Sequence, residues 1–281
     1  MIKLTCDNLY QQYNSYLKEQ IDKTEKKAKL LTIRVGEDVG SISYEKSLKK
    51  HCENLGVLID CKVFEENTDQ EIIEKVIEES NEDDAISSIL IFQPLMGDYD
   101  KTALLEKIKP DKDVDGATFT NKTKLLDLVD QKNIAVTASA IHLFIKSEIP
   151  DITGKNVLII NRSHIIGIPL FFLLEKDNAT VTVAHSRSQD IEGLMKDKDV
   201  IVTAVGKSQI FAPKELKDGA IVVDMGISQD EEGKFTGDMD MDALTDLNVS
   251  YLPSIGGIGK ITRTIIIENT LINCLGDQYG R

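Results

Sequence analysis

Short β-branched runs alternate along this chain with longer stretches of helical periodicity, and the alternation stops once and restarts. LLTIRV (Leu30–Val35), VLIDCKVF (Val57–Phe64) and AISSILIF (Ala85–Phe92) are separated by SYEKSLKKHCENLG and DQEIIEKVIEESN, whose apolar residues recur at helical spacing. Strands joined through helices run parallel, because the crossover returns the chain to the same end of the sheet. After a break at Pro150-Asp-Ile-Thr-Gly154, a second series runs through NVLIIN (Asn156–Asn161), ATVTVAH (Ala179–His185), DVIVTAVG (Asp199–Gly206) and GAIVVDMG (Gly219–Gly226). The expected fold class is therefore α/β, with two domains that each carry a mostly parallel sheet with flanking helices. The helical stretch TASAIHLFIKSE (Thr137–Glu148) precedes the break, and the apolar segment TRTIIIENTLINCLG (Thr262–Gly276) follows the second series. Domain limits are accordingly expected at 1–138 plus 262–281 for one domain and 139–261 for the other. A length of 281 residues accommodates both cores.

Charge narrows the partners. A formal net charge of −14 gives a surface that repels phosphate backbones and anionic headgroups, so neither nucleic acid nor membrane is an expected partner. Residues 1–20 hold no apolar signal core, and no run approaches the roughly 18 apolar residues of a membrane span. The four cysteines (Cys6, Cys52, Cys61, Cys274) form no CxxC pair, which fits a reducing, cytoplasmic setting. His51, His142, His164 and His185 are scattered, and no metal site is expected.

NVLIIN runs straight into RSHIIGIP and a helix, the order that places a pyrophosphate on a helix N-terminus. The G-x-G-x-x-G fingerprint is absent: Asn161 and Ser163 stand where its first two glycines would, and Gly167 is one residue late. Asn tolerates positive φ and Ser is small, so a tight turn remains open, as does an ordinary strand-to-helix turn. About 20 residues on, where NAD-specific folds carry a carboxylate for the ribose, the chain has Ser186 and Arg187. With Arg162 they offer a hydroxyl and two guanidinium groups that suit a 2′-phosphate, favouring NADP over the alternative, NAD.

Five segments together resemble one family, the methylenetetrahydrofolate dehydrogenase/cyclohydrolases: PDKDVDG (Pro110–Gly116), NRSHIIGIP (Asn161–Pro169), AVGK (Ala204–Lys207), VDMGI (Val223–Ile227) and GGIGKIT (Gly256–Thr262). They occur in the family's order. The resemblance implies a Rossmann-like second domain, a cleft between the domains, tetrahydrofolate derivatives as substrate and a homodimer. It further implies that Tyr44 and Asp115 contact the folate, Asp115 by accepting adjacent pterin N–H groups in pairs, and that Ile255, Gly256 and Gly257 line the substrate site. Cofactor positions implied in the same way are Asn161, Arg162, Ser163, Ile166, Gly167, Ser186, Arg187, Gly206, Ile227 and Thr262.

Hydride loss from the methylene bridge leaves a delocalised methenyl cation and needs little acid or base chemistry; positioning suffices. Hydrolysis of that cation requires a proton to move, and the family uses a lysine four residues after the tyrosine, supported by a glutamine. Here those positions are Leu48 and Phe92, with Gln93 one residue late on the opposite face of an extended segment. Lys46 and Lys49 point away from Tyr44, and Lys260 replaces a proline of the glycine loop, with Ile255 replacing another. A dehydrogenase with weak or absent cyclohydrolase activity is the simplest expectation. Tyr44, Asp115, Gln93 and Lys260 are the catalytic candidates; one rival is a bifunctional enzyme in which Lys260 or another amine serves hydrolysis, and another is a silent folate or nucleotide binder.

Overall fold

The computed structural model describes residues 1–127, 133–230, 232–276 and 279. In chain order the elements are β1 (Ile2–Lys3), α1 (Asp7–Asp22), β2 (Lys29–Val35), α2 (Val39–Leu55), β3 (Leu58–Phe64), α3 (Gln70–Glu82), β4 (Ser88–Ile91), α4 (Lys101–Glu106), α5 (Phe119–Lys124) and α6 (Val136–Glu148). There follow β5 (Asn156–Ile160), α7 (Gly167–Lys176), β6 (Thr180–Ala184), α8 (Ile191–Met195), β7 (Val200–Thr203), β8 (Ile221–Asp224), β9 (Ser228–Gln229), β10 (Phe235–Thr236), α9 (Met241–Leu244), β11 (Ser250–Leu252) and α10 (Gly259–Leu275). The chain forms two compact units, each discontinuous in sequence: residues 11–136 with 263–281, and residues 1–10 with 137–262.

The first of these is built on a three-stranded parallel sheet of order β3-β2-β4. Central strand β2 is buried from Leu30 to Val35 because both its faces are covered, which is why it reads as a continuous apolar run rather than an alternation. Its Leu31, Ile33 and Val35 pack with Ile73 and Ile77 of α3 and Ile89 and Ile91 of β4. Helix α2 begins where the Asp38 carboxylate accepts the Ser41 amide at 2.7 Å and ends where Gly56 turns left-handed at φ 90°. These two caps fix the stretch of helix that carries Tyr44.

The second unit holds a six-stranded, all-parallel sheet of order β1-β11-β8-β7-β5-β6. From β5 the chain moves to β6 on one side and then crosses back to β7 on the other, so the strand order reverses beside β5. Loops at the carboxyl ends of β5 and β7 therefore diverge, opening the crevice in which such sheets bind ligands.

One expected boundary differs from the structure. The first residues belong to the six-stranded unit, not to the folate-type domain, because β1 pairs in parallel with β11 through Ile2↔Ser250 and Lys3↔Tyr251. Strands of two and three residues show no periodicity, so β1, β9, β10 and β11 leave no signal in the sequence. Residues 277, 278, 280 and 281 of the expected terminal segment lie outside the described residues. Among the described residues, no helix is long and apolar enough to cross a membrane.

Candidate active site

At the carboxyl ends of β5, β6 and β7 lies a cavity of about 460 Å³, lined by Ile160 to Ser163, His185, Ser186, Ile191, Ala204, Val205, Lys207, Ile210 and Phe211. Four expected cofactor residues, Asn161, Arg162, Ser163 and Ser186, line it. Ile166, Gly167, Arg187, Gly206, Ile227 and Thr262 do not. The Arg187 amide instead donates to the His185 ring at 3.2 Å, and the Thr262 hydroxyl donates to the Gly259 carbonyl at 3.0 Å. Ile227 is exposed. His185 and Lys207 also line the cavity, although neither is expected there from the sequence; Lys207 closes the AVGK segment.

Asn161 makes the turn in a way its sequence position did not suggest. It is not among the residues with positive φ. Its side-chain Oδ1 accepts the amides of Ser163 at 2.7 Å and Gly167 at 3.0 Å, while Nδ2 donates to the Ala204 carbonyl at 2.6 Å. The Ser163 hydroxyl accepts the Ile166 amide at 3.1 Å. Gly167 is needed for close approach, since a Cβ there would lie 2.1 Å from the Asn161 carbonyl oxygen. Several amides at the start of α7 are thus satisfied within the turn, and a bound anion must rely more on side chains than in a glycine-rich loop.

The opposite wall is held by two fully buried carboxylates. Asp238 accepts three consecutive amides, from Val205 at 2.6 Å, Gly206 at 2.8 Å and Lys207 at 2.9 Å. Asp224 accepts the Asp238 and Gly226 amides and the Thr203 hydroxyl on Oδ1, and the Met239 amide and Tyr251 hydroxyl on Oδ2. Burial raises the Asp224 carboxyl above its ordinary value against the pull of these amides. The pair fixes the loop that points Lys207 at the cavity.

In the three-stranded unit, Tyr44 stands on α2 with Phe92 edge-on at 6.0 Å between ring centroids. Leu48, one turn on, has no exposed surface, and Phe92 is buried, so the two positions expected to carry hydrolytic groups are apolar core. Gln93 is exposed, and the Ser41 hydroxyl reaches its carbonyl at 3.3 Å.

Asp115 is half-buried in a loop whose neighbours are locked. Asp113 accepts the Ala117 and Thr118 amides and the Asn121 side chain, Asn269 donates to the Val114 carbonyl at 3.0 Å, and Gly116 takes φ 65° against the Asn133 backbone. Burial, with Asp113 nearby, pushes the Asp115 carboxyl up to about 7 despite the Val136 amide and the more distant Lys122 and Lys101.

Ile255, Gly256, Gly257, Lys260 and Thr262 belong to the six-stranded unit. Ile255 is 54% exposed, Gly256 takes φ 82°, and a Cβ on Gly257 would meet the Pro253 carbonyl at 2.8 Å. The Lys260 ammonium is 2.6 Å from Asp7 and 6.0 Å from the centre of the Tyr10 ring. Among the described residues, no three His, Cys, Asp or Glu side chains are grouped to hold a metal ion.

A parallel sheet with a strand-order reversal and a cationic pocket at its carboxyl edge defines a nucleotide-binding α/β protein of the Rossmann class. Comparison with known proteins gives the family. Residues 4–115 match the tetrahydrofolate dehydrogenase/cyclohydrolase catalytic domain, and residues 135–277 match the NAD(P)-binding domain of the same enzymes. The "Bifunctional protein FolD" of Staphylococcus aureus is 38% identical over 263 residues, 92% of each chain. A crystal structure of the bifunctional FolD enzyme from Campylobacter jejuni superposes with a TM-score of 0.91 at 30% identity over 98% of both chains. The Trypanosoma brucei dehydrogenase-cyclohydrolase, solved with NADP and an inhibitor, gives 0.90 at 28% identity over 97% of both. The chain belongs to the tetrahydrofolate dehydrogenase/cyclohydrolase family.

Proposed function

We propose that this protein oxidises 5,10-methylenetetrahydrofolate to 5,10-methenyltetrahydrofolate with NADP in preference to NAD, and that the methenyl product accumulates because hydrolysis is weak or absent. The observation that carries this reading is the apolar pair at the expected hydrolytic positions, with Leu48 wholly buried and Phe92 packed on Tyr44. Neither side chain can move a proton. Hydride transfer loses little by this, since Tyr44 and Asp115 serve it by placing the folate, Asp115 through paired acceptance of pterin N–H groups.

The cavity residues fit a phosphorylated dinucleotide. Arg162 and Lys207 supply charge, Ser186 supplies a hydroxyl, and Ile191 and Ile210 supply apolar contact for a base. When bound, the dinucleotide supplies the hydride acceptor. The NADP named in the Trypanosoma brucei structure supports the preference. Four unpaired cysteines support a reducing, cytoplasmic setting, and the family likeness supports a homodimer, which sedimentation would measure.

A bifunctional reading is favoured by the name of the Staphylococcus aureus relative and by the presence of Lys260. A spectrophotometric assay separates the two by following reduced cofactor and methenyl product at separate wavelengths, with NADP and with NAD. Equal accumulation of both products is the expected outcome. Methenyl decay faster than in buffer alone would restore the bifunctional enzyme, and no reduction of either cofactor would leave a silent binder.

A further inference from the structure

Arg263 of α10 stands over the Tyr44 ring, its guanidinium carbon 5.8 Å from the ring centre. It is half-buried, and among the described residues its side chain has no ion pair and no hydrogen bond. That is unusual in a chain with 47 acidic and 33 basic side chains. Arg34, also of this unit, is paired with Glu45. A guanidinium held over an aromatic ring by cation–π attraction still has N–H groups to donate, and its fork matches a carboxylate in two parallel hydrogen bonds. Burial, with Arg263 nearby, also holds the His51 imidazole near 4, so His51 is neutral at pH 7 and offers Arg263 neither a counter-charge nor a competing cation.

We infer that Arg263 is the anion-recognising residue of the folate site and binds a carboxylate of the substrate's glutamate tail. This rests on the folate reading above and names which end of the ligand each residue takes. A reduced folate carries a hydrogen-bonding pterin at one end and carboxylates at the other. Asp115 complements the first in chemistry, Tyr44 the aromatic middle and Arg263 the second, all three from the same unit. The contact with Tyr44 restrains the guanidinium, so less freedom is lost when the tail binds.

The test compares two ligands on each protein by equilibrium titration: tetrahydrofolate, which carries one glutamate, and tetrahydropteroate, which carries none. Wild type is expected to bind the glutamylated ligand about tenfold tighter or more, as for a charge-assisted hydrogen bond. In Arg263→Gln the ratio of the two Kd values falls to within about twofold, and in Arg263→Lys it is intermediate, because an ammonium keeps the charge but loses the fork. A ratio taken within one protein cancels any general loss of active fold, and if Arg263→Gln does not fold, the fall in Arg263→Lys decides. Equal weakening of both ligands, or an unchanged ratio, overturns the assignment and leaves Arg263 as a support for Tyr44. Binding of neither ligand by wild type overturns the folate reading itself.

Discussion

Asp238 occupies the space that a side chain on Gly226 would need: a Cβ built on Gly226 would lie 1.9 Å from an Asp238 carboxylate oxygen. The arrangement is reciprocal, since a Cβ on Gly237 would lie 2.1 Å from Asp224. Each glycine makes room for the carboxylate that holds the other segment. Gly226→Ala must therefore displace a buried charge that accepts three amides, and is expected to cost about 3 kcal/mol, read as a fall in Tm of about 6 °C or more. Asp238→Asn loses at least one acceptor toward the Val205–Lys207 loop. Its KM for the dinucleotide should rise about tenfold while kcat changes less than threefold, which steady-state kinetics would show.

The proposed cofactor preference rests on the cations around Ser186. Arg162 and Lys207 line the cavity with it, whereas Arg187 does not. Arg162→Gln should raise KM for NADP about tenfold or more and KM for NAD less than threefold, since only NADP carries the extra phosphate. Ser186→Asp should invert the preference by repelling that phosphate. If the two cofactors respond equally to both changes, the 2′-phosphate lies elsewhere.

Lys260 is the remaining amine with a claim on hydrolysis, and its geometry argues against it. Its ammonium lies 2.6 Å from Asp7, engaged with that carboxylate, and an ammonium has no lone pair to offer a water. Lys260→Met should leave methenyl accumulation unchanged and cost less than about 1 kcal/mol, as for a partly exposed pair. Asp7→Asn probes the converse, because releasing the amine would raise methenyl decay if Lys260 were the base.

The βα rhythm was legible because each strand of four residues or more carries its own apolar run, and β3, β5 and β7 fell within their expected segments. The turn after β5 was legible only in outline. Asn in a glycine position suggested a backbone role, but Asn161 acts through its side-chain amide, a bond to Ala204 that spans 43 residues. Asp238 gave no signal at all, since a carboxylate in GDMD reads as a surface turn until the loop 31 to 33 residues earlier donates to it. Arg263 was hidden in the same way: inside an apolar helix pattern a lone arginine reads as a solvated edge, and only the fold brings it onto Tyr44.

The Arg34–Glu45 pair tests how the three-stranded unit holds charge in its core. Both residues are under 9% exposed; Arg34 Nε is 3.2 Å from Glu45 Oε2, and the Thr32 hydroxyl donates to Oε1 at 3.0 Å. Glu45→Val leaves a buried guanidinium without its main counter-charge and should cost about 3 kcal/mol or more. Arg34→Leu combined with Glu45→Val removes both charges and should recover most of that loss in a denaturant titration.

Asp115 ties stability and activity to the same proton. Its carboxyl is raised from 3.8 to about 7 in the fold, so between those values the folded protein binds a proton that the unfolded chain has released. Stability therefore falls as pH rises from about 4 to about 7 and is flat beyond. Asp115→Asn, neutral throughout, should be more stable than wild type at pH 8 by about 2 kcal/mol, a figure discounted for partial exposure, and show no such gain at pH 4. On the proposed folate reading activity runs the other way, because only the carboxylate can accept two pterin N–H groups. Wild-type kcat/KM should then rise with pH along a limb centred near 7, while Asp115→Asn falls about a hundredfold and loses the limb. A wild-type profile flat from pH 6 to 8 would show that the ionisation of Asp115 does not control folate binding.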